Sequence, residues 1–415
     1  MDQKRLLKNF LFYASGYILP GLLSFLLIPV IVRNYGAEIY AEYSLVFNCL
    51  SVVGMFCYSW VGHSYIRFHT THAENIDLIY SNYLKKSFFA GAACFCIISL
   101  LATHTDYNYL LITVPVFFFL VQYNFNLIKT QANQMAGRVA LAETLRTSVA
   151  ISIPLLAIFF FHNSSGLFVL FVSLLAAYGA GCYYLLTSNK SNSTVSRLDN
   201  TDIGMLKEKI KNYGIPTAFF VSISLALTVN DRYLIAHIID YKKAGNYAAV
   251  YDILNKGINF ACAPVMMTFF PHIVKKFNDG HTSDAYNSLK NALLLEAGIF
   301  VAGLAVLILF GKFFLGFLLR QQITEDIVQI AYVLYTGLFI WQAAMLVHKP
   351  LELRLQTKYM AIIAAAVFVI NVGANWFLLR EYKNIMVAAW TTLASSTLYL
   401  VLVLFVIFFK KKISW

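Results

Sequence analysis

Four charged residues fall inside two neighbouring apolar stretches, where a charge is costly and points to function or to mutual pairing. Asp231 and Arg232 lie near the end of the stretch 214–239, roughly 12 Å deep at the helical rise of about 1.5 Å per residue. Asp252 and Lys256 lie roughly 7 and 14 Å into the stretch 247–271. Because the two predicted helices are antiparallel across a short loop, we expect the four groups at similar depths.

Two interpretations of these four charges are open. The charges line a polar cavity that engages a diphosphate or a sugar, with Asp231 or Asp252 coupling transport to H⁺ or Na⁺. Alternatively, two acids and two bases form a neutral cluster that only pins the two helices together.

Shorter polar stripes occur in three other apolar stretches. Each stripe predicts either a cavity lining or hydrogen bonding between helices, and the basic residues near helix ends are also suited to lipid headgroups. The stripes are Gln122, Asn126 and Lys129 in one stretch, Asn371 and Asn375 in a second, and His63 and Arg67 in a third.

The elements that position these residues follow from the composition. The 415 residues are 59% hydrophobic and only 13% charged, with a mean hydropathy of +0.66. Soluble domains carry about a quarter charged residues. The net charge of +12 comes from short basic clusters between apolar runs, which is typical of membrane topology and not of a nucleic-acid-binding face. The six cysteines show no zinc-ligand spacing, and we expect no metal site.

Apolar runs predict an all-α integral membrane protein of about twelve transmembrane helices. The first run, which follows a basic N-terminus, is too long for a signal-peptide core and is predicted to be a retained span. The predicted spans are 10–32, 44–65, 87–103, 109–128, 147–161, 167–187, 214–239, 247–271, 291–311, 327–348, 359–379 and 385–409.

Lys and Arg concentrate in alternate loops, by roughly three to one, and by the positive-inside rule this excess places both termini in the cytoplasm. The longest cytoplasmic loop, 188–213, is rich in Ser, Asn and Lys and reads as a linker. We therefore predict an N-terminal six-helix bundle over 1–187 and a C-terminal six-helix bundle over 214–415, in which the last two helices are candidates for peripheral packing.

The two predicted halves resemble each other. AEYSLVFN (41–48) and GNYAAVYD (245–252) each open the second span of their half, after a short outer loop. Parallel repeats of this kind place a substrate pathway at their interface.

The segments PVIVRNYGAEIYAEYSLVF (29–47) and VNDRYLIAHIIDYKKAGNYAAVYDI (229–253) resemble polysaccharide exporters of the Wzx O-antigen flippase type. These exporters belong to the multidrug/oligosaccharidyl-lipid/polysaccharide (MOP) superfamily. The resemblance implies two bundles in a V around a central cavity, and a flippase that moves an undecaprenyl-diphosphate-linked oligosaccharide to the outer leaflet by alternating access.

The resemblance also implies the bacterial inner membrane as the location. Its implied partners are the lipid-linked glycan, membrane lipids, a polysaccharide polymerase and a chain-length regulator, with no nucleic acid. No cofactor is expected beyond a coupling H⁺ or Na⁺ gradient, and no phosphate-binding loop motif occurs in the sequence.

Two other classes of function stay open at this point. A cation-coupled multidrug or metabolite antiporter of the same superfamily suits a charge-neutral cluster. A membrane enzyme, either a polysaccharide polymerase or an acyltransferase, is a weaker fit. The sequence has no large outer loop for a polymerase and no persuasive setting for a catalytic His63 or His237.

Overall fold

The computed structural model describes residues 3–68, 75–102, 107–133, 135–160, 166–188, 200–319, 324–354 and 356–409. These ranges are helical almost throughout and contain no strand. The helices are α1 (Gln3–Tyr35), α2 (Ala37–Phe68), α3 (Asn75–Ala102), α4 (Tyr107–Ala132), α5 (Ala136–Phe160), α6 (Gly166–Ser188), α7 (Asn200–Ile238), α8 (Tyr241–Asn278), α9 (Thr282–Leu319), α10 (Glu325–Val347), α11 (Lys349–Leu353), α12 (Thr357–Tyr382) and α13 (Met386–Phe409).

Among the described residues, 11 helices are long and apolar enough to cross a membrane. They are the long helices other than α3, which contains residues 87–102 of the predicted span 87–103 and carries Lys85 and Lys86. The prediction of an all-α membrane protein is confirmed. The cytoplasmic location of both termini stays a prediction.

The helices extend beyond the predicted spans because hydropathy marks only the part of a helix that matches the hydrocarbon core. One correction concerns α5, which begins at Ala136 and not near residue 147. Arg146, which lies just outside the predicted span 147–161, is therefore in the middle of a candidate span. In the same way, residues 200–213 of the predicted linker belong to α7. Residues 189–199 lie outside the described ranges.

The chain forms two compact units. Unit 1 comprises Met1–Tyr35 and Glu42–Leu225, and unit 2 comprises Gly36–Ala41 and Ala226–Trp415. The unit boundary falls within α7 and not in a loop. The first turn of α2 thus belongs to unit 2, although the rest of that helix belongs to unit 1. The predicted division around 188–213 stays a prediction.

Two glycines allow the first turn of α2 to pack in unit 2. Gly36, with φ +90°, begins the turn in a conformation that side chains disfavour. Gly245 in α8 packs against the same turn so closely that a Cβ there would lie 1.9 Å from the Ala37 carbonyl oxygen. This approach brings Tyr40 of α2 onto α8, where it contacts one of the predicted site residues.

Candidate functional site

Arg232 and Asp252 form an ion pair between α7 and α8. The two helices meet at a tight turn, where the Asp240 side chain caps α8 by accepting from the backbone N–H of Lys243 at 2.6 Å. Arg232 Nη1 donates to Asp252 Oδ2 at 3.1 Å, and Nη2 donates to Oδ1. The pair is therefore bidentate, which is the strong geometry for arginine and carboxylate.

Two tyrosines complete the surroundings of this pair. The Arg232 guanidinium lies over the Tyr251 ring, 5.0 Å from the ring centre. The Tyr40 hydroxyl donates to Asp252 Oδ2. The Arg232 side chain is 4% exposed and the Asp252 side chain 20% exposed, so the carboxylate forms the accessible end of the pair.

Asp231 is held differently from its neighbour in sequence. Successive residues of a helix point about 100° apart, so its carboxyl turns away from the Arg232–Asp252 pair. Asp231 is 1% exposed and accepts hydrogen bonds from Asn375 Nδ2 at 2.8 Å and Tyr247 Oη at 3.0 Å. The Thr392 hydroxyl is a third donor. Neutral donors thus surround a carboxyl at membrane depth.

A chain of buried amides and hydroxyls extends from Asp231 into α12 and α13. Asn371 Oδ1 accepts from Asn375 Nδ2 at 3.2 Å and from Asn230 Nδ2 at 2.7 Å. Thr391 Oγ1 donates to Asn375 Oδ1 at 2.6 Å, and Asn371 Nδ2 donates to Ser395 Oγ at 2.7 Å. The network is rich in oxygen atoms, which are the ligands that hard cations such as Na⁺ prefer.

A small pocket reaches this network, and the empty space of about 300 Å³ around it includes open solvent. It lies within unit 2. Its lining residues are Leu227, Thr228, Tyr251, Leu338, Trp341, Asn371, Thr392, Ser395 and Ser396. The hydroxyls of Thr392 and Ser395 belong both to the pocket wall and to the Asp231 network, so the pocket brings a space of about the size of a water molecule against that network.

Amide side chains extend the polar face of α8 beyond the ion pair, and these were missed from the sequence. Asn259 Nδ2 donates to Asn255 Oδ1 at 3.0 Å, and Gln342 Nε2 of α10 donates to Asn259 Oδ1 at 3.1 Å. Asn259 is exposed at membrane depth. Hydrocarbon does not solvate amides, so this face is suited to water or to a polar ligand. The helical spacing of residues 252, 255, 256 and 259 was a usable signal.

Lys256 is the fourth predicted charge. It lies one turn beyond Asp252 on α8 and is partly buried. The charges expected to form one cluster therefore comprise a bidentate ion pair, a carboxyl held by neutral donors, and a lysine on the polar face of α8. Asn371 and Asn375, predicted from a separate stripe, join the network of Asp231.

The remaining predicted residues lie in unit 1. The buried Asn126 donates from Nδ2 to the Gln122 backbone oxygen at 2.8 Å, a bond within its own helix. Lys129 and His63 are partly buried. The side chain of Arg67 lies outside the described residues.

Unit 1 contains a charged pair that the sequence reasoning missed. Arg146 Nη2 donates to Glu143 Oε2 at 2.8 Å, and the guanidinium lies beside the rings of both Tyr123 and Tyr178, at 5.6 and 5.3 Å from their centres. The spacing of three residues on a helix was the available signal. Elsewhere in the described ranges, no group of three or more His, Cys, Asp or Glu residues is placed to hold a metal ion.

Comparison with known proteins gives both a family and a fold. A family model described as polysaccharide biosynthesis protein matches residues 6–277. None of the curated proteins matches the chain. The solved structure of the lipid II flippase MurJ, in an inward closed conformation, is similar with a TM-score of 0.71 and 12% identity, over 95% of this chain and 87% of that chain.

Two transporters of the MATE family share the fold. The Vibrio cholerae MATE transporter VcmN matches with a TM-score of 0.66 and 12% identity, over 97% of this chain and 96% of that chain. The MATE multidrug transporter DinF-BH matches with a TM-score of 0.69 and 14% identity, over 99% and 96%. The chain therefore has the fold of these transporters and of the MurJ flippase.

Proposed function

We propose that this chain, which belongs to the polysaccharide biosynthesis protein family, flips an undecaprenyl-diphosphate-linked oligosaccharide across the bacterial inner membrane. The substrate is an O-antigen unit or a related polysaccharide repeat unit. It moves from the inner to the outer leaflet by alternating access. A polysaccharide polymerase and a chain-length regulator are the proposed downstream partners.

The polar face of α8 is the observation that carries this proposal. Asp252, Asn255, Lys256 and Asn259 follow one another at helical spacing through a membrane span. Carboxylate and amide groups hydrogen-bond sugar hydroxyls, and an ammonium attracts a phosphate. This face therefore combines groups for both ends of a diphosphate-linked sugar.

The membrane potential favours the proposed direction. When a membrane is negative inside, a diphosphate with about two negative charges is driven outward, and its movement releases about 4–5 kcal/mol per 100 mV. A coupled cation adds to or subtracts from this gain according to its direction. Asp231, with its oxygen-rich surroundings, is our proposed site for such a cation, either H⁺ or Na⁺, and Asp252 is the weaker candidate because Arg232 already neutralises it.

The Asp231 network also favours a second candidate function. A cation site of this kind suits a cation-coupled multidrug or metabolite antiporter, and two structural neighbours are MATE transporters. The two candidates differ in substrate and not in fold. Measuring whether lipid-linked sugar intermediates accumulate in cells that lack the protein therefore distinguishes the two functions directly.

The experiment is deletion of the gene in a host without a paralogue, followed by complementation with variants at equal expression. We expect lipid-linked repeat units to accumulate and surface polysaccharide to disappear. Normal surface polysaccharide after deletion contradicts the proposal and favours the antiporter function instead.

Lys256→Gln tests the polar face itself. Loss of a charge-assisted hydrogen bond to phosphate costs about 1.5–3 kcal/mol, or roughly 10- to 100-fold in apparent substrate affinity. Lys243→Gln, which changes a half-exposed lysine in the first turn of α8, is the matched control and should complement fully. Equal polysaccharide export by the two variants would show that Lys256 does not contribute to substrate binding.

A further inference from the structure

Glu296 is a buried carboxyl that the proposed function does not use. It lies in α9, the most apolar of the candidate spans, with a mean hydropathy of 2.6, and is 3% exposed. Its Oε2 has no hydrogen-bond partner among the described residues. A carboxyl in this condition is unusual, because buried acids are normally paired or hydrogen-bonded.

The surroundings of Glu296 are apolar and uncharged. The preceding turn of α9 packs through Ala292 into an apolar cluster with Val265 of α8 and Leu346 of α10. From α8, the Cys262 thiol lies near the carboxyl. From α10, the Tyr335 hydroxyl lies near that thiol and donates to the Phe300 backbone oxygen at 3.1 Å.

Two lysines with described contacts lie on the neighbouring helices. Lys276 of α8 donates to Ser288, eight residues before Glu296 and therefore roughly 12 Å away along the axis. No ion pair of Glu296 occurs within the described ranges. Lys349 of α11 lies over the Phe270 ring of α8, 4.5 Å from the ring centre, and is ion-paired with Glu352. None of these helices thus supplies a described countercharge to Glu296.

An ionised carboxylate is strongly disfavoured in such surroundings, whereas the neutral acid is tolerated. The enclosed state of Glu296 therefore selects the protonated form. Entry of water between α9 and its neighbours would remove this selection, because water solvates the carboxylate. Protonation of Glu296 and the packing of α9 are consequently linked, since a ligand shifts an equilibrium by its differential affinity for the two states.

We propose that Glu296 is a proton-binding site of unit 2, distinct from Asp231. The carboxyl holds a proton while α8 and α10 enclose it. When water reaches it, the O–H bond breaks heterolytically, the proton passes to water, and the carboxylate remains on α9. The ligand is a proton alone, so the inference does not depend on which substrate is transported.

Infrared spectroscopy of the purified full chain in lipid nanodiscs tests the site. At about pH 7, the wild type should show the carbonyl stretch of a protonated carboxylic acid, and Glu296→Gln should lose that component. Glu143→Gln is the matched control, because Glu143 is ion-paired with Arg146 in its own span. The proposal is overturned if Glu296→Gln keeps the full band or if the wild type has none.

Labelling of the wild type keeps the proposal testable if Glu296→Gln does not fold. A hydrophobic carbodiimide reacts with protonated carboxyls, and peptide mass spectrometry locates the adduct. We expect labelling at Glu296 that falls about tenfold per pH unit once the acid is mostly ionised. Labelling that is absent there, or that does not change with pH, refutes the proton site while leaving the polysaccharide export assay unaffected.

Discussion

The ion pair between Arg232 and Asp252 leads to an asymmetric prediction for stability. The Arg232 side chain is 4% exposed, and the Asp252 side chain is 20% exposed. Removing one member of a buried pair is destabilising mainly because it leaves the other charge without its countercharge. The more deeply buried charge is that of the arginine, so the cost depends on which member is replaced.

Asp252→Asn takes the countercharge from a guanidinium that is almost fully buried, and we expect it to cost about 3–5 kcal/mol. Arg232→Gln leaves a carboxylate that water partly reaches and that still accepts from Tyr40, so we expect about 1–3 kcal/mol. The double variant leaves neither charge. It should be more stable than Asp252→Asn, with a coupling energy above about 1 kcal/mol.

The assay is denaturant-induced unfolding of the purified variants in mixed micelles, followed by tryptophan fluorescence. The exposed pair of Lys312 and Glu325 supplies the control, because Glu325→Gln should cost less than about 1 kcal/mol. Refutation would take either of two forms. Arg232→Gln could destabilise more than Asp252→Asn, or the double variant could show the plain sum of the single effects.

Two further predictions concern the α2–α8 contact and the Asp231 network. Gly245→Ala places a Cβ against the Ala37 backbone and should sharply lower the yield of folded protein. Gly257→Ala, with open space around it, should be neutral or stabilise by up to about 1 kcal/mol; equal thermal stability of the two would contradict the close approach. Asp231→Asn should abolish the dependence of substrate transport in proteoliposomes on a Na⁺ or H⁺ gradient, whereas Asp240→Asn, at the exposed turn, should keep it. A gradient dependence that survives in Asp231→Asn would exclude that carboxyl as the coupling site.

Hydropathy and the cost of intramembrane charge were sufficient to predict most of the fold and part of the candidate site. Long apolar runs identified the helices, and the rarity of charge within them singled out Asp231, Arg232 and Asp252. The same rule missed Arg146, because it lies at the edge of its apolar run, and Glu296, because a single acid barely lowers the mean hydropathy of an apolar run. A mean hydropathy taken over a whole span does not reveal single charged residues within it.

The partners of these charges could not be predicted, because they depend on tertiary contacts. Asn375 is 144 residues from Asp231 in the chain, and Tyr40 is 212 residues from Asp252. The sequence gives the spacing of residues along one helix but not the rotation of that helix against its neighbours. That rotation decides that Arg232 pairs with Asp252 and not with Asp231.

The choice of partner has a functional consequence. A carboxylate that already holds a bidentate arginine gains little from binding a further cation, because most of its charge is neutralised. Asp231, surrounded by amides and hydroxyls, has no such compensation from its described hydrogen bonds, and a bound H⁺ or Na⁺ would supply it. Two acids that look equivalent in the sequence are thereby suited to different tasks. Asp252 fixes α8 to α7 where the polar face of α8 begins, and Asp231 provides the stronger driving force for taking up a cation.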